Sequence, residues 1–342
     1  MKSSTDPHVI ILAGSEDNRL AALTKALSGR AIPKQFAFIA GNGSLLQQTV
    51  AAYTKLAPPE RTTVVVSSEH EDLARTQLHE WPGITIIPRP HDRGPGLDLM
   101  LGLGRVVARA PEATVIVTSA DHYVPGARAM VTALAAARAA LPLVPVVLVG
   151  ATIDQTEQGR RFIVPGKHRK GRVHAVAGLI DFATAAQGER VKMAAGLWDT
   201  STFVARAGDL WRMGSRRMPT AARVISELWA QDRLSWNAAE SALLEIPDRD
   251  YREYPWEGAQ SLGVIAVSGT GWNDWSTPER VMDSLRDGDD LERLLSRIYR
   301  RQRALGGVVA RAPRRAEPAI PPSRLGYLNR GYPLVPRNHW AM

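Results

Sequence analysis

The first 150 residues alternate short β-branched apolar runs with helical stretches, and this alternation constrains the fold more than any other feature. Val9 to Leu12 (VIIL), Thr62 to Ser67 (TTVVVS), Ile84 to Ile87 (ITII), Thr114 to Thr118 (TVIVT) and Val144 to Val149 (VPVVLV) read as buried strands. Between them, helices are predicted over Arg19 to Leu27, Leu45 to Leu56, Glu69 to His79, Gly96 to Ala108 and Arg128 to Ala140. The Ala-rich Ala133 to Ala140 reads as part of a surface helix. Such a series predicts an α/β fold, a mostly parallel central sheet with helices on both faces. Right-handed crossovers then bring the strand C-terminal ends, and any ligand site, to one edge.

After Gly150 the pattern changes. Arg161 to Val164 (RFIV), a turn at Pro165-Gly166, the basic stretch Lys167 to Arg172 and Val173 to Ala177 predict a small β insertion, a hairpin or two short strands. A strand at Ser201 to Ala205, helices near Ala221 to Gln231 and Ala238 to Leu244, and a strand at Val264 to Ser268 follow. Pro278 opens a further helix with Thr277 as its cap. A strongly charged C-terminal helix runs from about Asp290 to Leu305. The expected organisation is a main domain over 1–285, the C-terminal helix within 286–305 and an extended Pro/Arg-rich tail over 306–342.

Charge follows this division. The chain of 342 residues carries a formal net charge of +9. Six Arg (Arg311, Arg314, Arg315, Arg324, Arg330, Arg337) face one acid, Glu317, in the tail, so more than half of the excess lies there. That tail lacks a regular aromatic and basic interleaving, which disfavours nucleic acid as its partner. Its Tyr327, Tyr332 and Trp340 instead suit packing on the protein's own body, on a partner or on another subunit of a homo-oligomer. The loop Pro165 to Arg172 reads as a solvated hairpin tip.

Several chemistries are excluded early. With no cysteine there is no thiolate nucleophile, iron–sulfur cluster or disulfide framework. The eight histidines show neither HxxxH nor HExxH spacing, and no GxSxG elbow occurs, so zinc-protease and α/β-hydrolase readings have no support. No apolar run approaches the roughly 18 residues of a spanning helix. A five-residue apolar stretch near the start is too short for a signal-peptide core, and the expected location is the cytoplasm.

Candidate chemistry gathers at the predicted strand ends. Leu12-Ala13-Gly14-Ser15-Glu16-Asp17-Asn18-Arg19-Leu20 links the first strand to the first helix, where backbone N–H groups can meet phosphate. Lys34, in Pro33-Lys34-Gln35-Phe36, is a point charge able to reach phosphate oxygens at the sheet edge. Asp121 follows a buried strand, and Asp274 follows a Gly-Trp turn after the strand at Val264 to Ser268. Two carboxylates meeting at one edge suit Mg²⁺, which takes one or two carboxylates together with substrate oxygens. His122 reads as a turn residue, a supporting contact to Asp121 being the other reading.

The segments in order, LAG, RL, PKQF and SLLQQT, resemble the start of nucleotide-sugar pyrophosphorylases, most closely the mannose-1-phosphate guanylyltransferases, with the approximate pattern LAGGxGTRLxPL…PKQFxxLxGxxSLLQxT. Arg93-Gly94-Pro95-Gly96 occupies the place of that family's second nucleotide-contacting segment. Ser119-Ala120-Asp121-His122 is similar to its PSDH motif, Gly196-Leu197-Trp198-Asp199-Thr200-Ser201-Thr202-Phe203 to GxWNSGIF, and Gly271-Trp272-Asn273-Asp274-Trp275 to GWxDxG. The matches span roughly residues 8 to 285.

The resemblance implies a Rossmann-like nucleotide-diphospho-sugar transferase fold and the transfer of a nucleotidyl group from a nucleoside triphosphate to a hexose 1-phosphate, with GDP-mannose as the first product to consider. It implies catalytic roles for Arg19 and Lys34, and nucleotide contacts from Leu12, Ala13, Gly14, Ser15, Arg19, Arg93 and Gly94. Asp199 and Thr200 would contact sugar, and Asp121 and Asp274 would hold Mg²⁺. The chain departs from the pattern where Ser15-Glu16-Asp17-Asn18 replaces two glycines and adds two acids, where Asp199-Thr200-Ser201 replaces Asn-Ser-Gly, and where no EKP motif follows Val173. Those departures favour, as the alternative, a nucleotide- or nucleotide-sugar-binding regulatory or scaffold protein without turnover.

Overall fold

The computed structural model describes residues 7–89, 92, 94–153, 161–180, 184–230, 241–244 and 261–304. Its centre is a sheet of the strands β1 (His8–Ala13), β2 (Thr62–Ser67), β3 (Thr85–Arg89), β4 (Thr114–Ser119), β5 (Val146–Thr152), β6 (Phe162–Lys170), β7 (Val173–Ile180), β8 (Leu197–Arg206) and β9 (Leu262–Val267). The order is β3-β2-β1-β4-β8-β5-β9-β7-β6, with a further pairing of β8 to β6. β1 to β4 are mutually parallel, as the alternation predicts. β8 then enters antiparallel between β4 and β5, so the sheet as a whole is mixed.

The helices are α1 (Ala21–Ser28), α2 (Leu45–Tyr53), α3 (Glu71–Gln77), α4 (Pro95–Val107), α5 (Ala127–Ala139), α6 (Ala185–Met193), α7 (Ala207–Arg217), α8 (Pro219–Ala230), α9 (Pro278–Leu285) and α10 (Asp289–Ala304). Alternate residues of β1 feed opposite faces, as a period of two requires. Val9 and Ile11 pack with Leu46 and Val50 of α2 and with Met130, Ala133 and Leu134 of α5. Ile10 and Leu12 pack with Leu99 and Leu103 of α4 and with Leu210 and Ile225 of α7 and α8. α5 is thus half-buried, its Ala133 and Ala137 lying against the core. The capping box of α2, in which Ser44 Oγ accepts from Gln47 N and Gln47 Oε1 accepts from Ser44 N, fixes where that helix begins.

Two segments differ from the sequence reading. β6 runs through Pro165-Gly166 to Lys170, and the hairpin turns at Gly171, whose φ of 63° a side chain would resist. A register irregularity at Pro165 lets the strand pass a residue that cannot donate to the ladder. Lys167 to Arg172 is exposed, the solvated end of the hairpin. The helices α6 and α7 have no counterpart among the predicted elements. α6 lacks an apolar stripe to announce it, although Thr184 and Gln187 form a capping box at its start.

A third apolar cluster sits beside the sheet edge. It joins Leu20, Ile39 and Leu45 to Tyr123, Trp275, Val281, Leu285 and Leu294, so α9 and α10 pack near the loop after β1. Arg297 of α10 donates to the carbonyls of Phe38 and Ile39, each at 2.5 Å. The predicted helix Ala238 to Leu244 is helical over its described residues 241–244. The predicted tail, 306–342, lies outside the described residues.

Candidate active site

Three separate chain segments meet at the C-terminal ends of β1 and β4. Lys34 heads a 3₁₀ turn (Lys34–Phe36) that buries all three of its side chains. Its Nζ donates to the carbonyl of Asp274 at 2.5 Å and lies 3.4 Å from Asp121 Oδ2. What brings Asp274 there is a two-way backbone bridge: Tyr123 N donates to Asn273 O at 2.8 Å, and Asn273 N to Tyr123 O at 2.9 Å. Trp275, fully buried with its ring stacked on Tyr123, anchors the bridge, and its indole N–H donates to Ser284 Oγ of α9 at 2.7 Å.

Asp121 is held ionised. Burial alone would raise its pKa, but the Lys34 ammonium, His122 and a hydrogen bond from Ser119 Oγ outweigh burial and hold the carboxyl well below the usual range. His122 does more than turn the chain. Its Nε2 lies 3.4 Å from Asp121 Oδ1, while Trp272 Nε1 is 3.3 Å from its Nδ1 and donates to it. The carboxylate of Asp274 is engaged separately, Oδ1 accepting from Arg280 Nη1 at 2.6 Å and from Ser276 N at 3.2 Å.

The loop after β1 forms the second wall. Gln35, fully buried, donates to the carbonyls of Ala13 at 2.9 Å and Ser15 at 2.7 Å, so the PKQF segment both supplies Lys34 and braces this loop. Arg19, 61 % exposed, is gripped by Asp17: its Nε donates to both carboxylate oxygens at 2.9 Å and its Nη2 to Oδ2 at 2.5 Å. The acid that the loop gains thereby occupies the cation assigned to phosphate. Opposite Gly14 lies Arg89, buried at the end of β3, which donates to the Gly14 carbonyl and pairs with Asp98 of α4 at 2.8 Å. The pair fits only because residue 14 is glycine: a Cβ there would run into Asp98 Oδ2 and lie 2.8 Å from Arg89 Nε.

Between these walls is a cavity of about 270 Å³, lined by Leu12, Gly14, Ser15, Arg89, Gly94, Asp98, Asp121 and Ser201 among others. One buried guanidinium there serves three acids, since Glu16 and Asp92 also approach Arg89. Burial, set against the Arg89 charge and reinforced by Asp92 and Glu16, pushes the Asp98 carboxyl up to about 7. Neither Arg89 nor Asp98 stands in a motif that sequence reasoning singled out. A charged residue at the end of an apolar strand, and an acid in a helix whose neighbours Leu97 and Leu99 are apolar, were the available signals.

The remaining predicted residues fall as follows. Leu12, Gly14, Ser15 and Gly94 line the cavity, and Arg93 lies outside the described residues. Thr200 is buried with its hydroxyl donating to Val149 O at 2.6 Å, and Asp199 Oδ1 accepts from Ser201 N at 2.8 Å. It is Ser201, at φ 51°, that faces the cavity. Among the described residues no group of three or more His, Asp or Glu side chains could hold a metal by itself. Asp121, on the cavity wall and held ionised, has the chemistry to accept a cation that draws its other ligands from phosphate and water.

No protein-family model matches the chain. Two curated relatives are both described as alginate biosynthesis protein AlgA. The one from Pseudomonas aeruginosa is 27 % identical over 158 residues, covering 45 % of this chain and 31 % of its own length. The one from Pseudomonas putida is 25 % identical over 304 residues, covering 82 % and 59 %. The chain thus spans less than two thirds of the length of either relative. Among solved structures, a mannose-1-phosphate geranyltransferase from Thermus thermophilus aligns with a TM-score of 0.68 at 23 % identity, over 80 % of this chain and 77 % of that one. A mannose-6-phosphate isomerase from Helicobacter pylori aligns at 0.59 and 16 % identity, over 78 % and 98 %. A protein assigned as a glucose-1-phosphate thymidylyltransferase, from Bacillus anthracis, aligns at 0.50 and 14 % identity, over 83 % and 95 %. The chain shares the α/β fold of the Thermus thermophilus and Bacillus anthracis structures, the fold class that the motif series implies.

Proposed function

Starting from that fold, we propose that the protein is a sugar-1-phosphate nucleotidyltransferase, with GTP and mannose 1-phosphate as first substrates and GDP-mannose and pyrophosphate as products. The observation that carries this reading is the meeting of Lys34, Asp121 and Asp274 at one sheet edge beside a cavity floored by Gly14 and Ser15.

The nucleophile is the phosphate of the hexose 1-phosphate, which attacks the α-phosphorus of the triphosphate. It is already ionised, so no general base is required, and catalysis rests on in-line positioning and charge neutralisation. Lys34, fixed by Asp121 and the Asp274 carbonyl, would neutralise charge on the α-phosphate or the sugar phosphate. Arg19 would bind the triphosphate once released from Asp17. The backbone of Leu12, Ala13, Gly14 and Ser15, with Arg93 and Gly94, would cradle the nucleotide, and Asp199 and Thr200 would serve the sugar through the backbone turn they brace. Asp121 and Asp274 would hold Mg²⁺, which would supply positive charge at the phosphate oxygens.

A second reading is favoured by one observation, the grip of Asp17 on Arg19: a protein that binds nucleotide or nucleotide-sugar without turning it over. Pyrophosphate release with Mg²⁺, for four nucleoside triphosphates against mannose 1-phosphate and glucose 1-phosphate, separates the two. Sugar-dependent release that Asp121→Ala abolishes supports the enzyme. Nucleotide binding without release supports the second reading.

A further inference from the structure

Arg280 stands outside every motif in the sequence, in the first turn of α9. Its Nη1 lies 2.6 Å from Asp274 Oδ1, and both side chains are largely shielded, at 12 % and 21 % exposure. The loop that delivers Asp274 to Lys34 therefore also delivers a guanidinium to the same edge. Lys34 meets Asp274 at its backbone carbonyl, 2.5 Å away, and Arg280 meets it at its carboxylate, 2.6 Å away.

Two cations, Lys34 and Arg280, consequently share Asp274 as a common partner, although they come from distant parts of the chain. Like charges held together at a partly dry position oppose one another in the free protein, and a polyanion placed among them removes that opposition. A planar guanidinium suits the task, because its fork can bridge a carboxylate and a phosphate at once. We propose that Arg280 is a substrate-binding residue that takes a phosphate group beside Lys34. This assignment rests on the nucleotidyltransferase reading.

The test is calorimetric binding of inorganic pyrophosphate and of mannose 1-phosphate, each with Mg²⁺, to the full chain and to Arg280→Gln and Arg280→Lys, with melting temperatures measured alongside. Arg280→Gln is expected to weaken one of the two ligands by roughly 10- to 100-fold. Arg280→Lys should recover part of that loss. The ligand affected tells whether the residue serves the triphosphate or the sugar phosphate. Unchanged affinity for both ligands, or a change confined to melting temperature, overturns the assignment and leaves Arg280 as a brace for Asp274. If Arg280→Gln does not fold, Arg280→Lys bears the comparison, since it keeps the charge and loses the fork. Wild-type protein that is folded yet binds neither ligand overturns the nucleotidyltransferase reading together with this one.

Discussion

Lys34 Nζ lies 3.4 Å from Asp121 Oδ2, with the two side chains only 3 % and 14 % exposed. The pair sets an ammonium at the point where the ends of β1 and β4 meet, and the entropy of holding it there is spent in folding and not in binding. In the proposed reaction, a phosphate arriving at this edge would meet a cation already oriented.

Removing one partner of this pair strands the other. Lys34→Ala leaves a sheltered carboxylate without its cation, and we expect a loss of about 3 to 5 kcal/mol in urea unfolding. Replacing both, as in Lys34→Met with Asp121→Leu, should cost much less than the sum. Either change should abolish pyrophosphate release.

Asp17→Asn tests the grip on Arg19. The pair is exposed on the arginine side, so stability should move by about 0.5 kcal/mol or less. Affinity for a nucleoside triphosphate should rise by roughly 2- to 5-fold, because the guanidinium no longer exchanges one anion for another. Titration with the triphosphate, on wild type and variant at equal ionic strength, reads it directly; weaker binding by the variant would show that Asp17 aids the ligand.

Asp98 makes stability depend on pH in a defined direction. Its pKa rises from 3.8 to about 7 on folding, so the folded state holds the proton more tightly than the unfolded chain. Its contribution is complete below pH 4 and is lost as pH rises through 7. Melting temperatures across roughly pH 4 to 8 should therefore fall less steeply with pH in Asp98→Asn than in wild type.

Trp275 joins the fold to the site. Trp275→Ala empties a fully buried position, with an expected loss of about 3 to 5 kcal/mol. Trp275→Phe keeps the stack on Tyr123 and loses the bond to Ser284, so it should fold well. If Asp274 is placed by this anchor, phosphate binding should weaken in Trp275→Phe by more than its stability falls. Calorimetry and melting of the same sample compare the two.

Much of this was legible in the chain itself. The β-branched runs locate β1 to β5, because a strand buried on both faces must be apolar throughout. Ser44 with Gln47 and Thr277 with Pro278 mark helix starts through local hydrogen bonds. Lys34, Asp121 and Asp274 could be named from motif order, Lys34 within PKQF, Asp121 just past a predicted strand and Asp274 just past a Gly-Trp turn. α6 escaped because its composition carries little apolar period, and the turn at Gly171 escaped because Pro165-Gly166 is the stronger local signal.

What the sequence by itself determined was most of the elements, α6 and α7 excepted, and the residue types delivered to their ends, since both follow from patterns a few residues long. The tertiary structure alone decided which charges became partners: Arg19 with Asp17, Arg89 with Asp98 beneath Gly14, and Arg280 with Asp274. An ion pair depends on distance and burial, and neither is set until β8 enters between β4 and β5 and Trp275 docks on Tyr123.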